Sequence, residues 1–177
     1  NLGAELWRSD GTEDGTWMVK DIQTGNLASF PDLLTNVGGT LYFIASDGTH
    51  GTELWRSDGT EEGTEMIRDI NNGGITGIGH LTNVNGRAFF RANDGTHGNE
   101  LWTSDGTFSG TKMVVDLNPA GNTSIGSFVA VGDWLFFAAS VPNGSLFDHS
   151  IFVSDGTADG TYAVFTLPGQ NSSSLRI

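Results

Sequence analysis

The chain has 177 residues, a length typical of one domain. Its 8 basic and 21 acidic side chains give a formal net charge of −13, which disfavours nucleic acid and anionic lipid as partners, because both are bound largely through cations that neutralise phosphate. The absence of cysteine excludes disulfides, thiolate metal sites and a cysteine nucleophile, and no apolar run is long enough to predict insertion into a membrane.

One eight-residue motif recurs four times along the chain. It reads Glu-Leu-Trp-Arg-Ser-Asp-Gly-Thr from Glu5 and again from Glu53, and the copy that starts at Glu100 differs only in its fourth residue. A degenerate copy starts at Ser150, so that the four copies stand 48, 47 and 50 residues apart. Repeats of this length are typical of propeller blades or of solenoids built from helix pairs.

Taken in chain order, the second repeat contains four short runs that are rich in β-branched and aromatic residues. We predict strands at 33–37, 40–45, 52–57 and 65–70, each ended by glycine-containing turns or loops. The run 41–45 is apolar on both faces, so it needs another sheet on each side. No run of ten or more residues has the period of a helix. The sequence therefore predicts an all-β protein made of β-propeller blades, each with four antiparallel strands.

The same pattern divides the chain into about 3.5 blades within a single propeller segment that spans residues 1–177. Residues 1–22 supply only the last two strands of a blade, and full blades are predicted at 30–70, 78–117 and 125–167. Residues 171–177 have the pattern of the start of a further blade. An open arc leaves sheet edges unpaired, so we expect the chain to be part of a longer repeat array or to pair with another copy of itself.

The repeated motif resembles that of a known bacterial family, the ELWxxDGT-repeat proteins. The resemblance includes the second Gly-Thr of each repeat and the Val-Lys-Asp-Ile of residues 19–22, and it covers nearly the whole chain. The fourth copy departs from the motif at Ser150, Ile151 and Phe152. The resemblance implies a secreted or cell-surface bacterial protein with propeller-like repeats. It implies no shared activity, so no catalytic residue is carried over.

The most repeated polar feature is an Asp-Gly-Thr turn between the third and fourth strands. One interpretation is a turn that the aspartate caps with its own side chain, and the other is a calcium loop that uses neighbouring acidic residues. The spacing of an EF-hand is absent, so we favour the turn and expect no cofactor apart from this calcium alternative. The aspartates are Asp10, Asp58, Asp105 and Asp155.

A second repeated turn, Asp-Gly-Thr-His-Gly, joins the second and third strands of adjacent blades. Loops at the rim of a scaffold often contact ligands, although two copies on neighbouring blades are expected to lie too far apart to share a metal. Trp134 has no repeated counterpart, which makes it a better candidate for a ligand contact than Trp7, Trp55 and Trp102, which we expect to pack between blades. The candidate ligand-face residues are Asp47, His50, Asp94, His97 and Trp134.

The motifs of common enzymes are absent from the chain, including the nucleophile elbow, the P-loop and His-Glu-x-x-His. We therefore expect a protein that is not an enzyme, acting as an extracellular scaffold or recognition module for protein or surface partners. One alternative is a carbohydrate-binding or adhesion propeller. Others are a repeat that closes or polymerises through its open blade edges, and an enzyme whose catalytic residues lie outside these 177 positions. The expected partners are the rest of the same array or another copy, and a protein or glycan ligand.

Overall fold

A computed structural model describes residues 3–171, and all of the regular elements in this range are strands. The predicted all-β class is therefore confirmed. No described residue belongs to a helix long and apolar enough to cross a membrane. The strands are β1 (Leu6–Arg8), β2 (Trp17–Lys20), β3 (Asp32–Val37), β4 (Thr40–Ser46), β5 (Thr52–Ser57), β6 (Glu65–Arg68), β7 (Gly79–Val84), β8 (Arg87–Asn93), β9 (Asn99–Ser104), β10 (Lys112–Val115), β11 (Ser124–Val131), β12 (Trp134–Asn143), β13 (Leu146–Ser154) and β14 (Tyr162–Gln170).

These strands form antiparallel sheets in which sequence neighbours pair, as the short turns predict. Strands β1 and β2 form a half blade, and blades 2, 3 and 4 contain β3–β6, β7–β10 and β11–β14. The four-stranded sheets span residues 32–68, 79–115 and 124–170. Apart from Asn171, the predicted start of a further blade at 171–177 lies outside the described residues. The arrangement of about 3.5 blades is propeller-like and is not closed.

The first strand of each full blade contains the same irregularity. Pairing with the second strand shifts register at this point, and the equivalent residues Leu33, His80 and Ser127 have φ values of 54°, 59° and 55°. The left-handed region costs a non-glycine residue about 1 kcal/mol or more. In blades 2 and 3 the threonine two residues later compensates with a hydrogen bond, since Thr35 and Thr82 donate to the carbonyls of Leu33 and His80.

The apolar core lies between the sheets rather than inside any one of them. Each blade has a front face toward the preceding blade and a back face toward the following one. The three clusters each join the back face of one blade to the front face of the next. At the first junction, Leu6 and Val19 of the half blade pack against Phe43 and Trp55. At the second, blade 2 contributes Val37, Leu54 and Ile67 against Phe90 and Trp102. At the third, blade 3 contributes Val84, Leu101 and Val114 against Leu135 and Phe137.

The repeated tryptophans confirm this packing at two positions and depart from it at the third. Trp55 and Trp102 are only 6% and 4% exposed, because a preceding blade covers each of them. Trp7 occupies the same position in the half blade but is 53% exposed. The prediction that all three pack between blades was therefore wrong for Trp7, because no described residue supplies a sheet in front of the half blade.

Candidate functional site

The Asp-Gly-Thr turns are closed networks of hydrogen bonds. In blade 2, Oδ1 of Asp58 accepts from both the backbone N–H and the hydroxyl of Thr60, at 2.9 and 2.7 Å. Oγ1 of Thr60 accepts from the N–H of Gly63, and the hydroxyl of Thr64 donates to the carbonyl of Thr60. The same bonds recur in all four turns. The motif thus encodes one turn, and every polar residue type in it has a structural partner.

The second glycine of the motif is required by the aspartate. A Cβ added at Gly63 would collide with the carboxylate of Asp58, and the other three turns have the same close approach. The hydrogen bonds from the threonine hydroxyl and N–H hold the pKa of each of these aspartates below its usual value. Among residues 3–171, no group of three or more His, Asp or Glu side chains is placed to hold a metal ion. The described geometry therefore offers nothing in favour of the calcium alternative.

The aspartate and histidine of each Asp-Gly-Thr-His-Gly turn also form hydrogen bonds within the turn. Oδ1 of Asp47 accepts from the N–H groups of Thr49 and His50, and its Oδ2 lies 2.6 Å from Nδ1 of His50. The Asp94–His97 pair repeats this geometry at 2.7 Å. The bond to the aspartate raises the pKa of each histidine. Burial alone would raise the pKa of each aspartate, but the hydrogen bonds outweigh it and leave the pKa lowered.

The candidate ligand-face residues do not form one site. Asp47 and His50 follow β4, and Asp94 and His97 follow β8, so both pairs lie at the rim where the second strand of a blade ends. Trp134 begins β12, opposite Val131 of the preceding strand, and so lies at the other rim. It is 38% exposed. The structure therefore repeats one Asp–His pair on neighbouring blades and leaves Trp134 apart from both.

The glutamate of the motif has a role that sequence reasoning missed. Glu53 is fully buried at the start of β5, where its carboxyl accepts from the N–H of Ile70 and meets the hydroxyl of Thr76. Glu100 meets Leu117 and Thr123 in the same way, and Glu5 meets Ile22 and Ser29. Each carboxyl thus ties the end of one blade to the beginning of the next. The signal available in the sequence was a carboxylate repeated at the start of an apolar strand.

Burial has a large effect on two of these glutamates. It raises the pKa of Glu53 and of Glu100 to about 7, against the hydrogen bonds that favour the charged form. The hydroxyl of Thr76 also contacts the carbonyl of Thr52. Since a hydroxyl carries one proton, a protonated Glu53 that donates to Thr76 Oγ1 leaves Thr76 free to donate to Thr52. The neutral carboxyl therefore fits the local hydrogen bonds.

Blade 4 departs from the repeat in ways that remove this carboxyl. Ser150 stands where Glu53 and Glu100 stand in the other blades, and its hydroxyl lies 2.8 Å from that of Thr166. Across β12 and β13, Oγ of Ser140 lies 2.7 Å from Nδ1 of His149. These two side chains are 2% and 5% exposed. The Ser–His contact is therefore a buried link between strands, with its hydroxyl shielded from solvent.

A cavity lies at each of the three junctions between blades. Those that follow the half blade and blade 2 have volumes of about 450 and 440 Å³. The cavity between blades 3 and 4 has a volume of about 330 Å³, and Arg91 is one of its lining residues. All three are within the size range of small-molecule sites.

No protein-family model matches the chain, and no curated protein matches it either. The resemblance to ELWxxDGT-repeat proteins rests on the motifs quoted above. The exposed faces and the junction cavities are therefore the features of the structure that bear on function.

Proposed function

We propose that the chain is a non-catalytic scaffold of β-propeller blades, and that its two exposed end faces dock further blades of the same repeat. The observation that carries this proposal is a mismatch in exposure between equivalent positions. Residues that are buried at every internal junction are exposed at the two ends of the described arc. A docking surface made of core-type side chains calls for a partner that restores the internal packing.

The mismatch is clearest on the back face of blade 4. Val131 and Val164 are 56% and 52% exposed, whereas their counterparts in blade 3, Val84 and Val114, are 3% and 7% exposed. Ile151, the counterpart of Leu101, is half-buried where Leu101 has no exposure. These side chains form an apolar surface against which no described residue supplies a sheet. Contiguous exposed apolar surface on a folded protein commonly marks an interaction site.

The front face of the half blade has the complementary character. Trp7 projects the same side chain that Trp55 and Trp102 bury against a preceding blade. Met18 is half-buried beside it, at the position of Met66 and Met113. At internal junctions, a back face like that of blade 4 packs against a tryptophan and a methionine. The front face of the half blade presents the same two residue types at the other end of the arc.

This complementarity favours a head-to-tail contact between blades of the same kind. Such a contact is heterologous, so successive copies form either a closed ring or a filament. The partner blade belongs to the remainder of the same repeat array or to another copy of this chain. The resemblance to ELWxxDGT-repeat proteins supports a secreted or cell-surface location for the assembly.

The non-catalytic part of the proposal is supported by the use that the structure makes of its repeated polar groups. The turn aspartates, the Asp–His pairs and the buried glutamates all form hydrogen bonds that hold turns and junctions together. Four near-identical copies of a turn serve the geometry of four blades, whereas a catalytic site needs one arrangement.

Sedimentation velocity over a wide range of protein concentration tests the docking of a further blade. We expect the wild-type chain to associate as its concentration rises and Val164→Asp to remain monomeric, because a buried unpaired charge would oppose docking. Ile75→Asp is the matched control, since Ile75 is 87% exposed in the loop between blades 2 and 3 and lies off both end faces. A wild-type monomer at every concentration would rule out docking between copies of this chain, and association of Val164→Asp equal to that of the wild type would overturn the role of the back face of blade 4.

A further inference from the structure

The cavity between blades 3 and 4 differs in chemistry from the equivalent cavities at the other two junctions. All three lie where the third strand of one blade begins and the chain enters the next blade. The cavity after blade 2 is lined by glycines and by Thr52, Ile75, Thr76 and Ile78, with no charged side chain. The cavity after the half blade includes Glu5 and Asp32, and none of its described lining residues is a cation. Among the described residues that line these three cavities, only Arg91, in the third, is basic.

Arg91 is a departure from the repeat. The equivalent residues in blades 2 and 4 are Ile44 and Ala138, so packing of the blade does not require a cation here. Nε and Nη2 of Arg91 donate to the carbonyl of Gly77, at 3.4 and 3.2 Å, which fixes the plane of the guanidinium. Within residues 3–171, no carboxylate lies within ion-pairing distance of it. In a chain with 21 acidic residues, a half-buried arginine without an acidic partner is available to an anion.

A second basic side chain lies close to Arg91. His80 stacks on Phe128 of blade 4, with the ring centroids 5.2 Å apart, so it sits at the same junction. Burial lowers the pKa of His80, and the positive charge of Arg91 lowers it further. The local environment is therefore short of negative charge, although the chain as a whole is strongly acidic. An anion bound at Arg91 would offset the positive charge of the guanidinium and so raise the pKa of His80.

The remaining wall of the cavity supplies neutral polar groups and an aromatic ring. Asn99 begins β9, and Asn122 lies in the loop that leads to β11. Oδ1 of Asn122 accepts from the N–H of Asn99, which leaves the amide NH₂ of Asn122 and the side chain of Asn99 without a hydrogen bond to any described residue. Phe147 of the long β12–β13 hairpin is half-buried and contributes the aromatic wall. Amides beside an aromatic ring match the hydroxyls and the apolar face of a sugar.

We propose that this cavity binds a carboxylate-bearing sugar, with Arg91 on the carboxylate, Asn99 and Asn122 on hydroxyls, and Phe147 against the ring. The site goes beyond the scaffold function, because it lies at an internal junction and uses none of the end-face residues. The repeat maintains a cavity at every junction, and the substitutions that set this one apart supply the groups that such a ligand needs. The proposal therefore concerns one junction and not the repeat in general.

The test is a titration followed by the imidazole NMR signals of the whole chain, with glucuronate as the probe and glucose and acetate as comparisons. We expect saturable shifts with glucuronate, a raised pKa of His80 in the bound state, and binding of glucose and acetate that is weaker by about tenfold or more. Arg91→Ile copies the residue of blade 2 and should weaken glucuronate binding by about tenfold or more. Arg56→Gln removes the same charge from an exposed ion pair with Glu65 and should bind as the wild type does.

Three results would overturn the assignment. If glucuronate produced no saturable shift, the cavity would not be a binding site for it. If acetate bound as tightly as glucuronate, the sugar would not contribute to binding. Glucuronate binding that is unchanged in Arg91→Ile would remove the role of the arginine. The sedimentation test of docking depends neither on Arg91 nor on glucuronate. Failure of the sugar-binding proposal is therefore distinguishable from failure of the docking proposal.

Discussion

The internal junctions and the end faces are built from the same residue types but differ in what covers them. Trp102 lies between two sheets, and Trp7 occupies the same position with one side open. The same holds for Val114 inside the arc and Val164 at its end. The repeat therefore specifies a junction between blades more than it specifies a blade, because the side chains that recur are those that meet across sheets.

Blade 4 shows which part of the repeat tolerates change. It keeps Leu135 and Phe137 on its front face, where blade 3 packs, and it keeps the Asp155 turn. It loses the buried glutamate at Ser150, whose counterparts tie one blade to the next. Variation is not confined to one face, because Phe152 replaces the tryptophan of the front face, whereas Val131 and Val164 keep the valines of the back face.

The largest effect is expected from removal of a tryptophan at an internal junction. Trp102→Ala should destabilise the fold by about 3 to 5 kcal/mol, because it leaves a large cavity between blades 2 and 3. Trp7→Ala removes the same atoms from an exposed face and should cost less than about 1 kcal/mol. Urea unfolding of both variants, at a dilution where the chain is monomeric, measures the difference. Equal losses would mean that the half blade is covered in solution by something other than a second copy.

The buried glutamates predict that stability falls as the pH rises through neutrality. Burial raises the pKa of Glu53 and Glu100 to about 7 from a usual 4.5, so the folded state holds more protons than the unfolded state between these values. Their contribution to the free energy of unfolding is therefore complete below pH 4.5. It is lost as the pH rises through about 7, by on the order of 1 to 2 kcal/mol for each residue. The raised pKa of His50 and His97 acts in the same direction. Urea unfolding from pH 5 to 8 should show the decline.

Glutamine variants separate the glutamates from the other titrating groups. Glu53→Gln mimics the protonated carboxyl, since its amide can accept from Ile70 and donate to Thr76, and it should flatten the pH dependence. The control is Glu65→Gln at the exposed ion pair with Arg56, which should leave the slope unchanged. A wild-type stability that rises steadily from pH 5 to 8 would contradict the account. Below about pH 4 stability should fall again, as the turn aspartates with lowered pKa become protonated.

A smaller effect is expected in the Asp-Gly-Thr turns. Gly110→Ala should cost about 1 kcal/mol, because the added Cβ pushes Asp105 away from the N–H and hydroxyl of Thr107. Gly126→Ala is the control, since a Cβ there meets His80 at an ordinary contact distance of 3.6 Å. In an Asp105→Ala background the cost of Gly110→Ala should shrink, and additive losses in that double-mutant cycle would refute the link between the two residues.

The smallest effect is expected from metal removal. The turn carboxylates are engaged by their own backbone and threonines, and no described cluster of three ligands is placed for a cation. Thermal melts with calcium and with a chelator should therefore coincide within about 1 °C. A melting temperature that rises with calcium would restore the alternative interpretation of these turns as calcium loops.

The sequence was sufficient to predict the sheets, because glycine-bounded strands and a fixed period leave few other folds. The predicted strand at 33–37 differs from β3 by one residue, and the fourth strand ends at Arg68 rather than at residue 70. Ile70 leaves the strand because its N–H is committed to Glu53. That bond joins positions 17 residues apart, so no local pattern could reveal it.

The site was harder to predict for a related reason. Repetition identified the turn aspartates and the Asp–His pairs, and the structure gives both a local hydrogen-bonding role. The residues that set one junction apart, Arg91, Asn122 and Phe147, belong to two different blades and occur once each. Only the stacking of blade 3 on blade 4 brings them to one cavity. A residue that departs from the repeat can be recognised in the sequence. The residues that it meets across the junction cannot be identified in this way.

The central claim is that burial between blades, and not the residue at a position, sets the contribution of each repeat to stability. Val114→Ala and Val164→Ala test it most directly, since they make the same chemical change at equivalent positions that are 7% and 52% exposed. In urea unfolding of the dilute monomer, we predict losses of about 2 kcal/mol for the first variant and less than about 0.5 kcal/mol for the second. Equal losses would contradict the account.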